Sequence, residues 1–211
     1  ISNESEIIRK AFIEICAIDD PADCVWFDAN SIISQTITDQ EKYPGIRIFV
    51  DAGFDTIQQS LQIDIGFGDI VTPSPVKIDY PLLISNLQTP KLFVYSIETV
   101  IAEKFQAMIE LSMANSRMKD FYDVFQLIKS GKFNKIGLQI AIKSTFEKRE
   151  TPYTENHALF DKDFYQDANR VKMWKSFLDK TGLNRELDFD EVVILITKEL
   201  KPYWELLRVK K

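Results

Sequence analysis

The chain has 211 residues, 45% of them hydrophobic and 27% charged, an ordinary globular composition with length for one core or two small ones. Its formal charge of −6 argues against gripping a polynucleotide over the whole surface, so such a substrate would have to be held by a local basic patch. With two cysteines, Cys16 and Cys24, and one histidine, His157, the sequence has no Cys/His set for a structural zinc, and the thiols read as ordinary core residues. The longest unbroken apolar run, Val192 to Ile196, is far short of the roughly 20 residues of a membrane span, and no basic, apolar leader opens the chain. Cytosol is the expected compartment. The first residue is Ile1 rather than methionine, so the chain reads as a fragment of a longer product.

Ile7, Ile8, Ala11, Phe12 and Ile15 fall at helical spacing and predict a helix that ends near Asp19-Asp20-Pro21. From Val25 to Val76 the period changes to two. Ile46, Ile48, Val50 and Ala52 alternate with Arg47, Phe49 and Asp51, then Leu61, Ile63, Ile65 and Phe67 alternate with Gln62, Asp64, Gly66 and Gly68, which predicts a two-stranded hairpin. Pro73, Pro75, Pro81 and Pro90 punctuate an irregular stretch with short extended pieces at Val76 to Tyr80 and Leu92 to Tyr95. Ser96 then caps a helix, and helical periodicity runs through Ile97 to Met113, Met118 to Ile128, Gly137 to Glu147, Asp167 to Lys180 and Phe189 to Leu207, with Pro202 as a kink or break in the last. The expected class is α+β: a mixed-sheet domain over residues 1–95 and a helical domain over 96–211.

Three places carry candidate chemistry. In Leu61 to Asp69 the alternation presents Asp64 on the face opposite Leu61, Ile63 and Ile65, and the glycines at 66 and 68 permit close approach of a ligand or another backbone. A solvated strand aspartate satisfies the same pattern. In the helix after Ser96, Ile97, Val100, Ile101, Met108 and Leu111 form an apolar stripe with Lys104 in its middle, while Glu98 and Glu103 fall off the stripe. Either the lysine stem snorkels to water, or its ammonium is held in a cleft against carboxylates or phosphates. In the next helix, Phe121, Val124, Phe125 and Ile128 define the buried face. Arg117 is expected on that face, Asp120 at its margin and Asp123 farther outward. A structural Lys104–Asp120 salt bridge is the plain alternative to a catalytic role for either residue.

Four stretches carry a resemblance: Leu61 to Asp69, Tyr95 to Lys104, Met113 to Asp123 and Thr145 to Pro152 resemble, in that order, nucleotidyltransferases of the AbiEii/AbiGii toxin family. The family is similar to the DNA polymerase beta-like nucleotidyltransferases. The resemblance implies a small mixed sheet with flanking helices followed by a helical domain, and a Gly-Ser turn with an Asp-x-Asp pair ahead of a third strand carboxylate. Ile63-Asp64-Ile65 fits the last feature. The Gly-Ser and Asp-x-Asp element does not occur in these residues and is expected upstream of Ile1, because in relatives it precedes the helix that matches Ser2 to Cys16.

The resemblance therefore implies Asp64, Lys104 and Asp120 as catalytic residues, with Asp64 also a Mg²⁺ ligand. Asp69, Arg117, Lys119 and Asp123 become nucleotide- or acceptor-binding candidates. The implied substrates are an NTP and a cellular acceptor such as tRNA, and the implied partner is an antitoxin, as in phage-defence toxin–antitoxin pairs. A kinase acting on a protein or small molecule, or a binding remnant without the two-metal site, would satisfy the same residues.

Overall fold

The computed structural model describes residues 2–18, 24–37, 45–67, 71–82 and 88–208, with side chains from residue 5 onward. The chain divides into two compact units, Ile1–Asp69 with Tyr80–Pro90, and Ile70–Asp79 with Lys91–Lys211. Antiparallel sheets come first and helices follow, the α+β arrangement that the change of periodicity predicts.

In the first unit, helix α1 (Ser2–Cys16) lies on an antiparallel sheet of β1 (Val25–Ile37), β2 (Gly45–Phe54) and β3 (Ile57–Gly66), in spatial order β1-β2-β3. The alternation expected of β2 is realised: Ile46, Ile48, Val50 and Ala52 are buried. Three of these, with Ile32 of β1, form the small core on which Ile8, Phe12, Ile13 and Cys16 pack. Strand β3 closes the expected hairpin, its turn placing Asp55 at φ 53°. Strand β1 was not legible as one element, because an irregularity between Asp28 and Ile33 breaks its period-two pattern. Opposite Trp26 in the register sits Gly53, where a Cβ would come 2.2 Å from the indole ring, so only glycine lets that ring lie flat against the strand. Cys24 departs from expectation in being exposed, whereas Cys16 is half-buried.

The second unit begins with a two-stranded antiparallel sheet, β4 (Val76–Asp79) and β5 (Lys91–Val94), and continues as helices α2 (Ile97–Leu111), α3 (Met118–Ser130), α4 (Lys135–Lys148), α5 (Lys162–Gln166), α6 (Ala168–Thr181) and α7 (Phe189–Leu206). Ser96 caps α2 as predicted, its hydroxyl accepting from the Thr99 N–H at 3.2 Å. Asp167 caps α6 by accepting from Arg170 N–H, and Gly182, at φ 66°, ends it in the left-handed conformation that glycine adopts without a Cβ penalty. Helix α7 runs through Pro202 instead of breaking there; the ring leaves the Lys198 carbonyl without its helical donor, and the buried stripe Val192, Val193, Ile196, Leu200 and Trp204 holds the helix against the core.

That core is aromatic. Phe121 meets Phe189 edge-on with centroids 5.3 Å apart, Trp174 lies 5.4 Å from Phe189, and Phe146 lies 5.6 Å from Trp204. Both buried indoles find acceptors, Trp174 Nε1 donating to Leu187 O and Trp204 Nε1 to Thr154 O. The lone histidine belongs to this packing. His157 Nδ1 accepts from Leu159 N–H at 3.2 Å, which places the proton on Nε2, where it is donated to Ile109 O at 2.9 Å.

Burial pushes the His157 pKa down, and the Ile109 carbonyl only partly opposes this. The unfolded chain therefore takes up the proton first as pH falls, so stability decreases below the ordinary histidine pKa of about 6.5. Chemical unfolding of the parent at pH 7.5 and 5.5 should show this loss, and His157→Gln should show a smaller slope with pH whatever its absolute stability. An equal slope in both proteins would remove His157 as its source.

Candidate functional site

Lys104 sits on the buried stripe of α2, and its stem is covered by the helix packing that surrounds it. An ammonium in that position needs counter-charges, and α3 supplies two. Lys104 Nζ lies 2.5 Å from Asp120 Oδ1 and 3.0 Å from Asp123 Oδ2, with the three side chains 24%, 17% and 25% exposed. Lys119 closes the group from one turn away, Nζ to Asp123 Oδ2 at 2.6 Å, but is itself largely exposed. Two cations and two carboxylates thus form a neutral quartet joining α2 to α3.

Burial alone would lower the Lys104 pKa. The hydrogen bonds and charges of Asp120 and Asp123 outweigh it and hold the ammonium above the ordinary lysine value. Burial would likewise raise Asp123, but hydrogen bonds from Lys119 and Lys104 bring it below the ordinary carboxylate value. Both groups are therefore charged across the neutral range. Asp123 does not point outward as its spacing suggested: i+3 from Asp120 is only about 60° away around a helix, near enough for both carboxylates to reach one lysine.

Arg117 is not on the buried face. It stands exposed at the N-terminal boundary of α3, and Met118 takes the buried position. The loop before it is fixed by a residue that no spacing rule had singled out. Arg170 of α6, only 4% exposed, donates to Asn115 O at 2.9 Å and to Met113 O at 2.8 Å, with its guanidinium 4.0 Å above the Phe164 ring. Asn115 Oδ1 in turn accepts from Arg117 N–H at 2.8 Å. Between this braced end of α3 and helix α6 lies an open groove of ≈ 810 Å³, bordered by Arg117, Lys119, Asp120, Lys172, Phe177 and Lys180.

The Thr145 to Pro152 stretch also finds a place in this unit. Gln106, fully buried on α2, accepts from Arg149 Nη1 at 2.8 Å and donates to Thr151 Oγ1 at 2.7 Å and to the Glu110 carboxylate. Glu98, off the apolar stripe of α2, is nonetheless half-buried and accepts from Asn134 N–H at 2.6 Å, tying the start of α4 to the start of α2.

Asp64 belongs to the first unit. It lies directly across from Arg47 in the β2–β3 register, and the two form a two-pronged ion pair, Nε to Oδ1 at 2.7 Å and Nη2 to Oδ2 at 2.8 Å. Hydrogen bonds from Arg47, helped by its charge and by Gln62, hold the carboxyl below its ordinary pKa against the opposing effect of desolvation. Asp69 lies outside the described residues. Among the described residues no three His, Cys, Asp or Glu side chains stand close enough together to hold a metal ion. Asp64 offers one carboxylate, with both oxygens engaged by Arg47, which does not by itself fit a divalent cation.

A family model described as the nucleotidyl transferase AbiEii toxin, type IV toxin–antitoxin system, matches residues 1–194. No curated protein and no solved structure matches the chain. No helix among the described residues is long and apolar enough to cross a membrane.

Lys104→Met should leave the mostly buried Asp120 without its counter-charge and Asp123 with Lys119 alone, at a cost of roughly 1–3 kcal/mol, and a chain of this size loses about 2–4 °C of melting temperature per kcal/mol. Asp123 is depressed on folding, so its contribution is present above the unfolded carboxylate pKa of about 3.9 and is lost as pH falls through its lower folded value. Lys104 is raised on folding, so its contribution is complete below the unfolded lysine pKa of about 10.4 and is lost as pH rises through its folded value. The difference in melting temperature between parent and variant should therefore be widest between these limits and narrow on either side. A difference that does not change with pH would mean that lost packing, not lost charge pairing, causes it.

Proposed function

From the premise that this chain belongs to the AbiEii nucleotidyl transferase toxin family of type IV toxin–antitoxin systems, we propose that it transfers a nucleotidyl group from an NTP to a cellular acceptor such as tRNA, as the toxin partnered by an antitoxin. In that reaction an acceptor hydroxyl releases its proton to solvent and attacks the α-phosphorus of the NTP, the new O–P bond forms as the α–β phosphoanhydride breaks, and pyrophosphate leaves with the anhydride electrons. The protein's part is positioning and charge compensation.

The observation that carries this reading is Lys104, a compact point charge kept protonated by two carboxylates on one side. Asp120 and Asp123 orient the ammonium, whose remaining donor capacity is suited to a phosphate oxygen. Arg117 and Lys119 stand one helical turn away with exposed charges for the nucleotide or its acceptor. Asp64 would serve the Mg²⁺ site as one ligand among several, since a single carboxylate cannot hold the ion. The Arg47 pairing that lowers the basicity of Asp64 favours this role over proton removal from the acceptor.

The test is transfer of label from each of the four NTPs to total tRNA by the full-length gene product, assayed well below each variant's own melting temperature. Lys104→Met should lose at least 100-fold in transfer while still folded by circular dichroism. Asp64→Asn should lose transfer with little change in melting, because the group it removes is exposed. Parental rates in a folded Lys104→Met protein would take Lys104 out of the phosphate-binding role.

A further inference from the structure

The groove between the start of α3 and helix α6 has a chemistry that the quartet leaves unused. On α6, Lys172, Ser176 and Lys180 recur at steps of four, so they form one polar stripe running about 12 Å along the helix axis. Met173 and Phe177 run beside that stripe and line the same groove. Facing them across the opening are Arg117 and Lys119.

Lys172, Lys180 and Arg117 are exposed and form no ion pair among the described residues, so their charges are available. The one acid lining the groove, Asp120, is already neutralised by Lys104. In a chain of net charge −6, three cations without an ion pair among the described residues, beside the compensated Lys119 and Asp120, make a locally positive trough. Its floor is apolar and fixed. The Phe177 ring packs against Trp174 at 5.5 Å and Tyr122 at 6.0 Å, and Met118 beside it is buried. Met173 adds a partly exposed polarizable side chain.

A basic rim over a rigid aromatic and thioether floor suits a ligand with regularly spaced anions and flat apolar groups between them. We propose that this groove binds a short unpaired stretch of nucleic acid, with Arg117, Lys172 and Lys180 on successive phosphates and a base laid over Phe177 and Met173. An acidic protein segment would meet the cations but has no flat group for the floor. A duplex would present its phosphates but keep its bases stacked inside. The identification of this strand as the acceptor rests on the nucleotidyl-transfer reading; the binding itself does not.

The experiment is fluorescence anisotropy of the full-length protein with labelled octauridylate at several salt concentrations. Three comparators are an abasic phosphodiester octamer, a duplex of the same length and polyglutamate of matched charge. The parent should bind octauridylate at least five-fold more tightly than any comparator. In the Lys172→Ser/Lys180→Ser double variant, whose altered residues are both exposed, affinity should fall at least ten-fold. The slope of log affinity against log salt should become shallower by roughly 1.4, since each single-strand phosphate contact contributes about 0.7.

Unchanged octauridylate binding by the double variant would overturn the proposal, as would equal or tighter binding of polyglutamate, the abasic octamer or the duplex. Loss of binding in the double variant, alongside a parent that transfers no nucleotide to any tRNA, would leave the groove standing and remove only its assignment to an acceptor.

Discussion

A lysine in the middle of an apolar helix stripe is a constraint that its neighbours must answer. Lys104 cannot leave its ammonium in the interface between α2 and α3 without counter-charges, and two aspartates one turn apart on α3 meet that demand. Much of the second unit is arranged consistently with it. Met118, Phe121, Val124 and Phe125 bury the adjoining face of α3, and the Arg170 brace fixes the loop from which that helix starts. The start of α3 is thereby anchored from a second helix, the kind of support that keeps the charged residues around it in one geometry.

The first unit handles charge differently. Arg47 and Asp64 meet across two strands on the sheet face away from α1, both substantially exposed, so water shares in their stabilisation and their pairing adds little to the fold. Its effect is on chemistry rather than on stability. A carboxylate held by a two-pronged guanidinium is fixed in orientation and stays ionised, but it must exchange or share that partner before it can serve a cation. Asp64 and Lys104 thus represent two designs, one a pair open to exchange and the other a charge built into packing.

The long, strongly periodic elements were legible in the sequence, because burial on one face writes itself as spacing: the β2–β3 hairpin, the capped α2, and the stripes of α3 and α7 follow their apolar periods. Strand β1 was obscured by its irregularity, and α5, five residues long, is too short to show a period. Among site residues, Lys104 declared itself by its conflict with the stripe. Asp123 and Arg117 were misjudged because helical angle alone does not say how far a long lysine reaches, or that the chain before α3 is not yet helical at residue 117. Arg170 and Gln106 gave no local signal: their long-range partners are 43 to 57 residues away along the chain, and only the folded unit brings them together.

The tryptophans divide between the units in a way that makes the molecule its own optical reporter. Trp26, laid over Gly53 in the first unit, is 40% exposed, whereas Trp174 and Trp204 are each 1% exposed within the helical core. An indole in contact with water emits at longer wavelength than one in an apolar interior, so the native spectrum is a sum of a red component from the sheet and a blue component from the helices. Quenching by a soluble ion would reach Trp26 alone while the core is intact. Loss of the helical packing would instead shift the blue component toward the red, so the order in which the two units melt can be followed without any attached label.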